Sequence, residues 1–256
     1  MGLTKLALRF AAPLPQVESF ERYLFIGPHP DDIEVGAGAT AAKLAAAGKK
    51  VTFLICTDGR FGMENMPEGT APEELIRLRK AESLASARVL GVDDVRFLDL
   101  SDGAFYDPAD LFRGIARTIG EVQPDLIFAP DPDVSSECHA DHRNTGEAAR
   151  RAAFFSPFPA IMKQHGASPA GVQALAFYMT AKPNRFVKTR GFLGRQLSAL
   201  LRHKTQFPRE SETFRTVSLY LKLRAADFGI RSLSAQAEGF RVLGRTQMHC
   251  LPEAGK

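Results

Sequence analysis

The strongest constraint on how this chain can fold is the alternation in its first half, where short apolar runs are separated by stretches long enough to be helices. The runs YLFIG (23–27), VTFLIC (51–56), VRFL (95–98) and DLIFA (125–129) have the length and residue types of strands. Between them lie VGAGATAAKLAAAG (35–48), PEELIRLRKAESLASARVLG (72–91) and PADLFRGIARTIGEV (108–122). In the last, Leu111, Ile115, Ile119 and Val122 recur at steps that place them on one helix face, which belongs against a sheet. Gly48 and Gly91 fall where a glycine closes a helix. Strands joined by helical crossovers predict an α/β fold: a Rossmann-like, mostly parallel sheet with helices on both faces. At 256 residues and 45% hydrophobic content the chain closes one core. We therefore expect a single domain over 1–256, with a core at about 20–155 and a C-terminal extension at about 156–256. In the extension, FSPFPAIM (155–162) is apolar and broken by proline, ALAFYM (174–179) reads as a further strand, and helices are expected near 191–204 and 213–226.

Ligands of open parallel sheets bind beyond the carboxyl ends of the strands, and two of the expected strands carry histidine and aspartate there. HPDD (29–32) follows the first, and HADH (139–142) lies in the loop after the fourth. Three of the six histidines are thus held in two short clusters. Two adjacent aspartates at the mouth of a buried strand repel one another and resist desolvation, so a positive charge is expected beside them. Two imidazoles and one carboxylate, with one position left open for water, satisfy a catalytic zinc ion. Neighbouring residues cannot easily both reach one ion, so Asp31 and Asp32 are expected to divide the work: one ligates, and the other receives the proton of the reacting water. Taken alone, HPDD would also suit a proline turn leading into a helix N-cap.

HPDD with GAGAT beyond it, TDG (57–59), RKAESLASARVLGV with SDG (101–103), and HADH together resemble the LmbE-like or PIG-L family of zinc-dependent N-deacetylases. The similarity runs from about Tyr23 to Arg150, with echoes in LSALLRHKTQF and AEGF. Family members remove the acetyl group from N-acetylglucosamine conjugates, including glycosyl-inositol, glycosyl-malate and glycosyl-phosphatidylinositol substrates. The resemblance implies that His29, Asp32 and His142 ligate Zn2+, or another divalent ion such as Fe2+, with Asp31 as general base. It implies that His139 stabilises the oxyanion or protonates the leaving amine, and that Asp141 orients His139. It brings Arg79 and Asp102 to the substrate, against the plainer readings of a surface ion pair with Glu82 and a turn cap. It also implies self-association into a homo-oligomer. Ala140 stands where the family's second cluster usually has proline, Ala39 replaces a common glycine, and the PDVSSEC lead-in is unfamiliar; none of these removes a reactive group.

Charge is unevenly distributed. Residues 1–147 carry 24 acidic and 15 basic side chains, whereas residues 148–256 carry 5 and 18, with no acid between Ala148 and Arg209. Such a segment pairs with the acidic half or attracts an anion, and the second use favours an anionic amino-sugar conjugate as the small-molecule substrate. No nucleic-acid signature accompanies the charge, so nucleic acid is not an expected partner. No run reaches membrane-spanning length. Arg9 interrupts the N-terminal apolar stretch, and Leu6 stands where a lipidation signal after Met1 and Gly2 needs Ser or Thr. Three scattered cysteines, Cys56, Cys138 and Cys250, suit a reducing compartment, and we expect a cytoplasmic protein. His165, His203 and His249 are expected to be structural or superficial, with the RHKTQ echo drawing His203 towards the site. The competing chemistries are the facial triad of non-haem iron oxygenases, which uses the same donors, an amidase for another N-acyl conjugate, and a sugar-binding protein that holds a metal without catalysis.

Overall fold

A computed structural model describes residues 10–249; the N-terminal positions just discussed and Cys250 lie outside the described residues. The four expected strands are present as β1 (Arg22–Gly27), β2 (Lys50–Thr57), β3 (Asp94–Leu100) and β4 (Leu126–Pro130). They alternate with α1 (Asp32–Ala46), α2 (Pro72–Leu90) and α3 (Pro108–Val122), and α4 (Ala140–Phe155) and α5 (Pro159–Gln164) follow β4. The C-terminal segment supplies β5 (Ala174–Tyr178), β6 (Arg185–Lys188), α6 (Leu193–Leu200), α7 (Glu212–Arg231) and β7 (Ala237–Gly244). All seven strands join one sheet in the order β3-β2-β1-β4-β5-β7-β6. The first five are parallel, and β7 runs antiparallel to both its neighbours. The sequence pattern missed β6, β7 and α5, and the late segment builds three strands of the common sheet.

Strand alternation explains the two layers. Tyr23 and Phe25 of β1 face a cluster with Ile33, Ala41 and Leu44 of α1 and Leu90 of α2. Leu24 and Ile26 face the other side, against Leu111, Ile115 and Ile119 of α3 and Ala149 and Ala152 of α4. Phe25 stacks on Phe128 of β4 at 4.1 Å between ring centroids. A sheet covered on both sides needs strands that are apolar throughout, and β1 is buried from Tyr23 to Gly27. A smaller cluster of Leu193, Leu200, Phe207, Leu221 and Ala225 fastens α6 to α7.

Strand β7 escaped the sequence reading because it buries Glu238 and Arg241, which break its apolar run. Each is satisfied by a distant partner. Arg241 forks onto Asp131, just past β4, and Glu238 accepts from the amides of Ala39 and Thr40 and from Gln196 Nε2. Those amides lie just beyond an interruption of α1 at Ala37 (φ −151°, ψ 17°), so the carboxylate caps the resumed helix. Helix α1 begins at Asp32, three residues earlier than its apolar pattern indicates.

Two close approaches set the helices that flank the sheet's carboxyl edge. A Cβ on Gly36 would meet the ring of Tyr178 at 2.2 Å, and one on Gly146 would meet the carbonyl oxygen of Pro130 at 2.5 Å. Pro130 ends β4, and Gly146 is one helical turn after His142, so this contact fixes where that histidine stands. Backbone cannot yield as a flexible side chain does. Gly146→Ala is therefore expected to cost about 1–3 kcal/mol in thermal or denaturant unfolding, while Gly171→Ala, where nothing lies within 4 Å of the new methyl, should match the parent.

Candidate active site

The order of strands reverses direction between β1 and β4, and both histidine clusters emerge at that point, on the carboxyl edge of the sheet. His29 leaves β1 through Pro28, whose carbonyl accepts from the amide and the hydroxyl of Thr57 at the end of β2. Asp31 precedes α1 with φ 119°, a conformation that L residues rarely adopt and that is retained where surrounding contacts enforce it. Asp32 opens α1 and accepts from the His29 amide at 2.9 Å. On the other side His139 is the N-cap of α4, its Nδ1 accepting from the Asp141 amide at 3.2 Å, and His142 lies in the first turn.

These segments converge. Asp32 Oδ2 lies 3.1 Å from His29 Nδ1 and 3.4 Å from His142 Nε2, and the donor atoms of His29, Asp32 and His142 all fall within 4.8 Å of one another. The opposite nitrogen of His29, Nε2, lies 3.1 Å from Asp141 Oδ2. Asp141 is fully buried and also accepts from the amides of Gly103 and Ala104 at 2.7 and 2.9 Å. A carboxylate that takes the Nε2 proton leaves the Nδ1 lone pair of His29 directed at the Asp32 side, the arrangement that presents an imidazole to a cation. His29, His139 and Asp141 form a second group of suitable spacing. The Asp141 carboxylate in that group is already engaged by two amides and an imidazole, so the first group suits a divalent ion better. The resemblance pairs Asp141 with His139; its amide donates to His139 Nδ1, its carboxylate stands 3.8 Å from the same atom, and that carboxylate also bonds His29.

The electrostatics follow from three carboxylates in a small volume. Burial opposes protonation of His29, but hydrogen bonds to Asp141 and Asp32 outweigh it and push its pKa up to about 10. Burial raises Asp31 to about 6 although Arg79 pulls the other way. Asp32 is also buried, yet His142 and His29 hold it well below the usual carboxylate range. His139 is lowered by burial and by the two neighbouring imidazoles. Protons on His29 and His142, both shifted up by the carboxylates beside them, supply the positive charge that these demand, and a divalent cation would supply it instead.

Arg79 is brought to the site and is buried. Its guanidinium donates to Asp31 Oδ2 at 3.1 Å, to the Pro30 carbonyl at 2.8 Å and to the Gly59 carbonyl at 3.0 Å. Glu82 is occupied elsewhere, accepting from the amide and hydroxyl of Thr205. Asp102 is only 5% exposed; its Oδ2 accepts from the Phe61 amide at 3.3 Å, and its Oδ1 is buried without a hydrogen-bond partner. Both residues line a cavity of about 280 Å³ with His29, Asp31, His139, Phe61, Glu64 and Gln206. Nothing in the sequence pointed to Phe61 and Glu64, because single aromatic and polar residues in loops carry no pattern, whereas Gln206 lies in the RHKTQ echo. His203 is fully buried behind the site, its Nε2 3.2 Å from Glu34, which also accepts from Ser86.

The sequence matches the family described as PIG-L: GlcNAc-PI de-N-acetylase over residues 24–153. A diacetylchitobiose deacetylase of Thermococcus kodakarensis is 32% identical over 255 residues, covering 98% of this chain and 93% of the relative. A 1D-myo-inositol 2-acetamido-2-deoxy-alpha-D-glucopyranoside deacetylase of Kineococcus radiotolerans is 30% identical over 206 residues, 69% of this chain and 56% of that one. Among solved structures, the N,N'-diacetylchitobiose deacetylase of Pyrococcus horikoshii, complexed with its inhibitor MPG, superposes with a TM-score of 0.86 at 30% identity, covering 96% of this chain and 93% of that one. A 4-carboxy-2-hydroxymuconate hydratase of Pseudomonas putida, at 17% identity and a TM-score of 0.74, shares the fold alone. The matched region carries both histidine clusters and the whole convergence around His29: this chain belongs to the PIG-L family of de-N-acetylases.

Proposed function

We propose that this protein is a zinc-dependent N-deacetylase that hydrolyses the acetamide of an N-acetylglucosamine-type conjugate, releasing acetate and a free amino sugar. The observation that carries the reading is the convergence of His29, Asp32 and His142 beside a strained Asp31. The N-deacetylases among its relatives support it, two of them named for diacetylchitobiose and for an inositol-linked acetamido sugar. His29 Nδ1, Asp32 Oδ2 and His142 Nε2 would hold the metal, with Asp141 fixing the His29 ring. A divalent cation held there would polarise the amide carbonyl and lower the pKa of a water beside it.

The chain's own groups then divide the proton transfers. Asp31, held by Arg79 and kept out of the ligand set by its backbone, takes a proton from the attacking water. His139, half-exposed at the mouth of the site and T-stacked on His29 at 4.6 Å, has Nδ1 engaged by the Asp141 amide, so its Nε2–H is free to donate to the developing oxyanion, and the proton taken up by Asp31 passes to the departing amine. Asp102 Oδ1, buried without a partner, is an acceptor for a sugar hydroxyl. The aglycone is anionic in this reading. Arg202, Lys204 and Arg209 line a cavity of about 450 Å³ with no acid on its walls, and Gln206, in the same loop, lines the metal cavity. A cytoplasmic location belongs to this reading; no helix of the described residues is long and apolar enough to cross a membrane.

A metal-defined amine-release assay against a panel of N-acetylglucosamine conjugates tests the reading. Asp31→Asn is expected to lower kcat by about 10²–10⁴-fold while metal content, measured by plasma mass spectrometry, stays near that of the parent; His29→Ala should lose both. Intact turnover in Asp31→Asn would remove the assigned base. Conjugates bearing a phosphate or carboxylate should exceed neutral ones in kcat/KM by about tenfold or more, roughly 1.4 kcal/mol, and the double change Arg202→Ser, Lys204→Ser should erase that preference. Preference for uncharged conjugates by the parent enzyme would refute the anionic assignment.

A further inference from the structure

We propose that Phe61 and Phe105 form a stacking platform for a second pyranose ring, the one joined to the N-acetylated sugar. The inference rests on the deacetylase reading of the metal cavity and specifies what lies beyond it. Phe61 stands in the loop after β2 and Phe105 in the loop after β3. Their ring centroids are 5.7 Å apart with planes at 72°. Phe61 is 54% exposed and Phe105 73% exposed. Two aromatic rings from separate loops, paired with each other and left in water beside a polar cavity, forgo burial that a ligand would restore.

The pair is held by the same turns that build the site. The Phe61 amide donates to Asp102, and Phe105 directly follows Gly103 and Ala104, whose amides grip the Asp141 that bonds His29. A Cβ on Gly103 would come within 3.1 Å of the Phe105 ring and 3.6 Å of the Phe61 ring, so the rings rest on bare backbone at the edge of the cavity floor. Their distance from the candidate metal position is therefore set by rigid local structure.

The surroundings select the ligand class. Glu64, Asp102 and Gln206 line the cavity that Phe61 borders, and Asp102 Oδ1 lacks a partner. A ligand that meets aromatic faces on one side and hydrogen-bonding groups on the other needs an apolar face and a hydroxylated edge. A pyranose has both, with C–H bonds on its faces and hydroxyls around its rim. An acyl chain would cover the rings and leave the acceptors unpaired.

The chain contains no tryptophan, so Phe105→Trp introduces a single indole, excited apart from the tyrosines at the red edge, at the platform. Titration of metal-loaded Phe105→Trp with the N,N'-diacetyl disaccharide of glucosamine is expected to shift and saturate its emission at concentrations at least about tenfold below those needed with N-acetylglucosamine. An equal response to both sugars, none to either, or a response to an octyl glycoside's alkyl tail in preference to the disaccharide would overturn the platform. In kinetics, Phe105→Ala, which lies outside the lining of the metal cavity, should reduce kcat/KM for the disaccharide about tenfold and leave that for the monosaccharide within about twofold; equal losses on both would also overturn it. If neither sugar is hydrolysed, the deacetylase reading fails by itself and the fluorescence titration still decides the platform.

Discussion

The architecture of the site depends on negative charge crowded around one buried imidazole. Asp32 and Asp141 approach His29 from opposite ring nitrogens, each at 3.1 Å, and Asp31 adjoins them on the chain. Coulomb repulsion between carboxylates at such spacing, in a partly dehydrated interior, is tolerable only with compensating positive charge. The histidines provide it by holding protons, Arg79 provides it to Asp31, and a divalent ion at the open side of His29 would complete it. The surrounding loops serve this balance: two amides of the 103–104 turn are spent on Asp141, and three carbonyl or carboxylate acceptors are spent on Arg79.

Topology brings the groups together without any long loop. Since β1 and β4 are adjacent and parallel, the segments that follow them leave the same edge of the sheet a strand spacing apart, although His29 and Asp141 are separated by 112 positions. The helices then begin with the reactive residues themselves: Asp32 is the first residue of α1, and His139 caps α4. A carboxylate at a helix N-terminus is favoured by the unpaired amides there, which offsets part of the cost of burying it. The parallel sheet also lacks the all-β barrel or jelly-roll setting that the alternative iron-oxygenase chemistry would have led one to expect.

The sequence made much of this legible, for identifiable reasons. Strands β1, β2 and β4 are buried on both faces and punctuated by helices, and the edge strand β3 keeps Val95, Phe97 and Leu98, so their runs stand out, and the two four-residue clusters mark the functional edge directly. What stayed hidden depends on partners remote in sequence. Strand β7 reads as polar until Glu238 is seen to cap α1 and Arg241 to fork onto Asp131. The resemblance ties Asp141 to His139, and the bond of its carboxylate to His29 depends on the Gly103 and Ala104 amides, which no sequence pattern marks. Arg79 has a helix neighbour of opposite charge in Glu82, but tertiary contacts claim each of them separately. His203, structural or superficial by its residue type and drawn towards the site by its echo, is the buried kind, sealed against Glu34.

The placement of β7 bears on how the molecule is made. Among the described residues it is the last strand to leave a ribosome, yet it occupies an interior position between β5 and β6. Until residues 237–244 emerge, β5 presents a bare edge open to wrong pairing, and the resumed half of α1 lacks the carboxylate that closes its amides. Completion of the sheet and setting of the helix that carries Asp32 are thereby tied to a single late event in vectorial synthesis, and a nascent chain stalled before that strand would carry both histidine clusters on an unfinished scaffold.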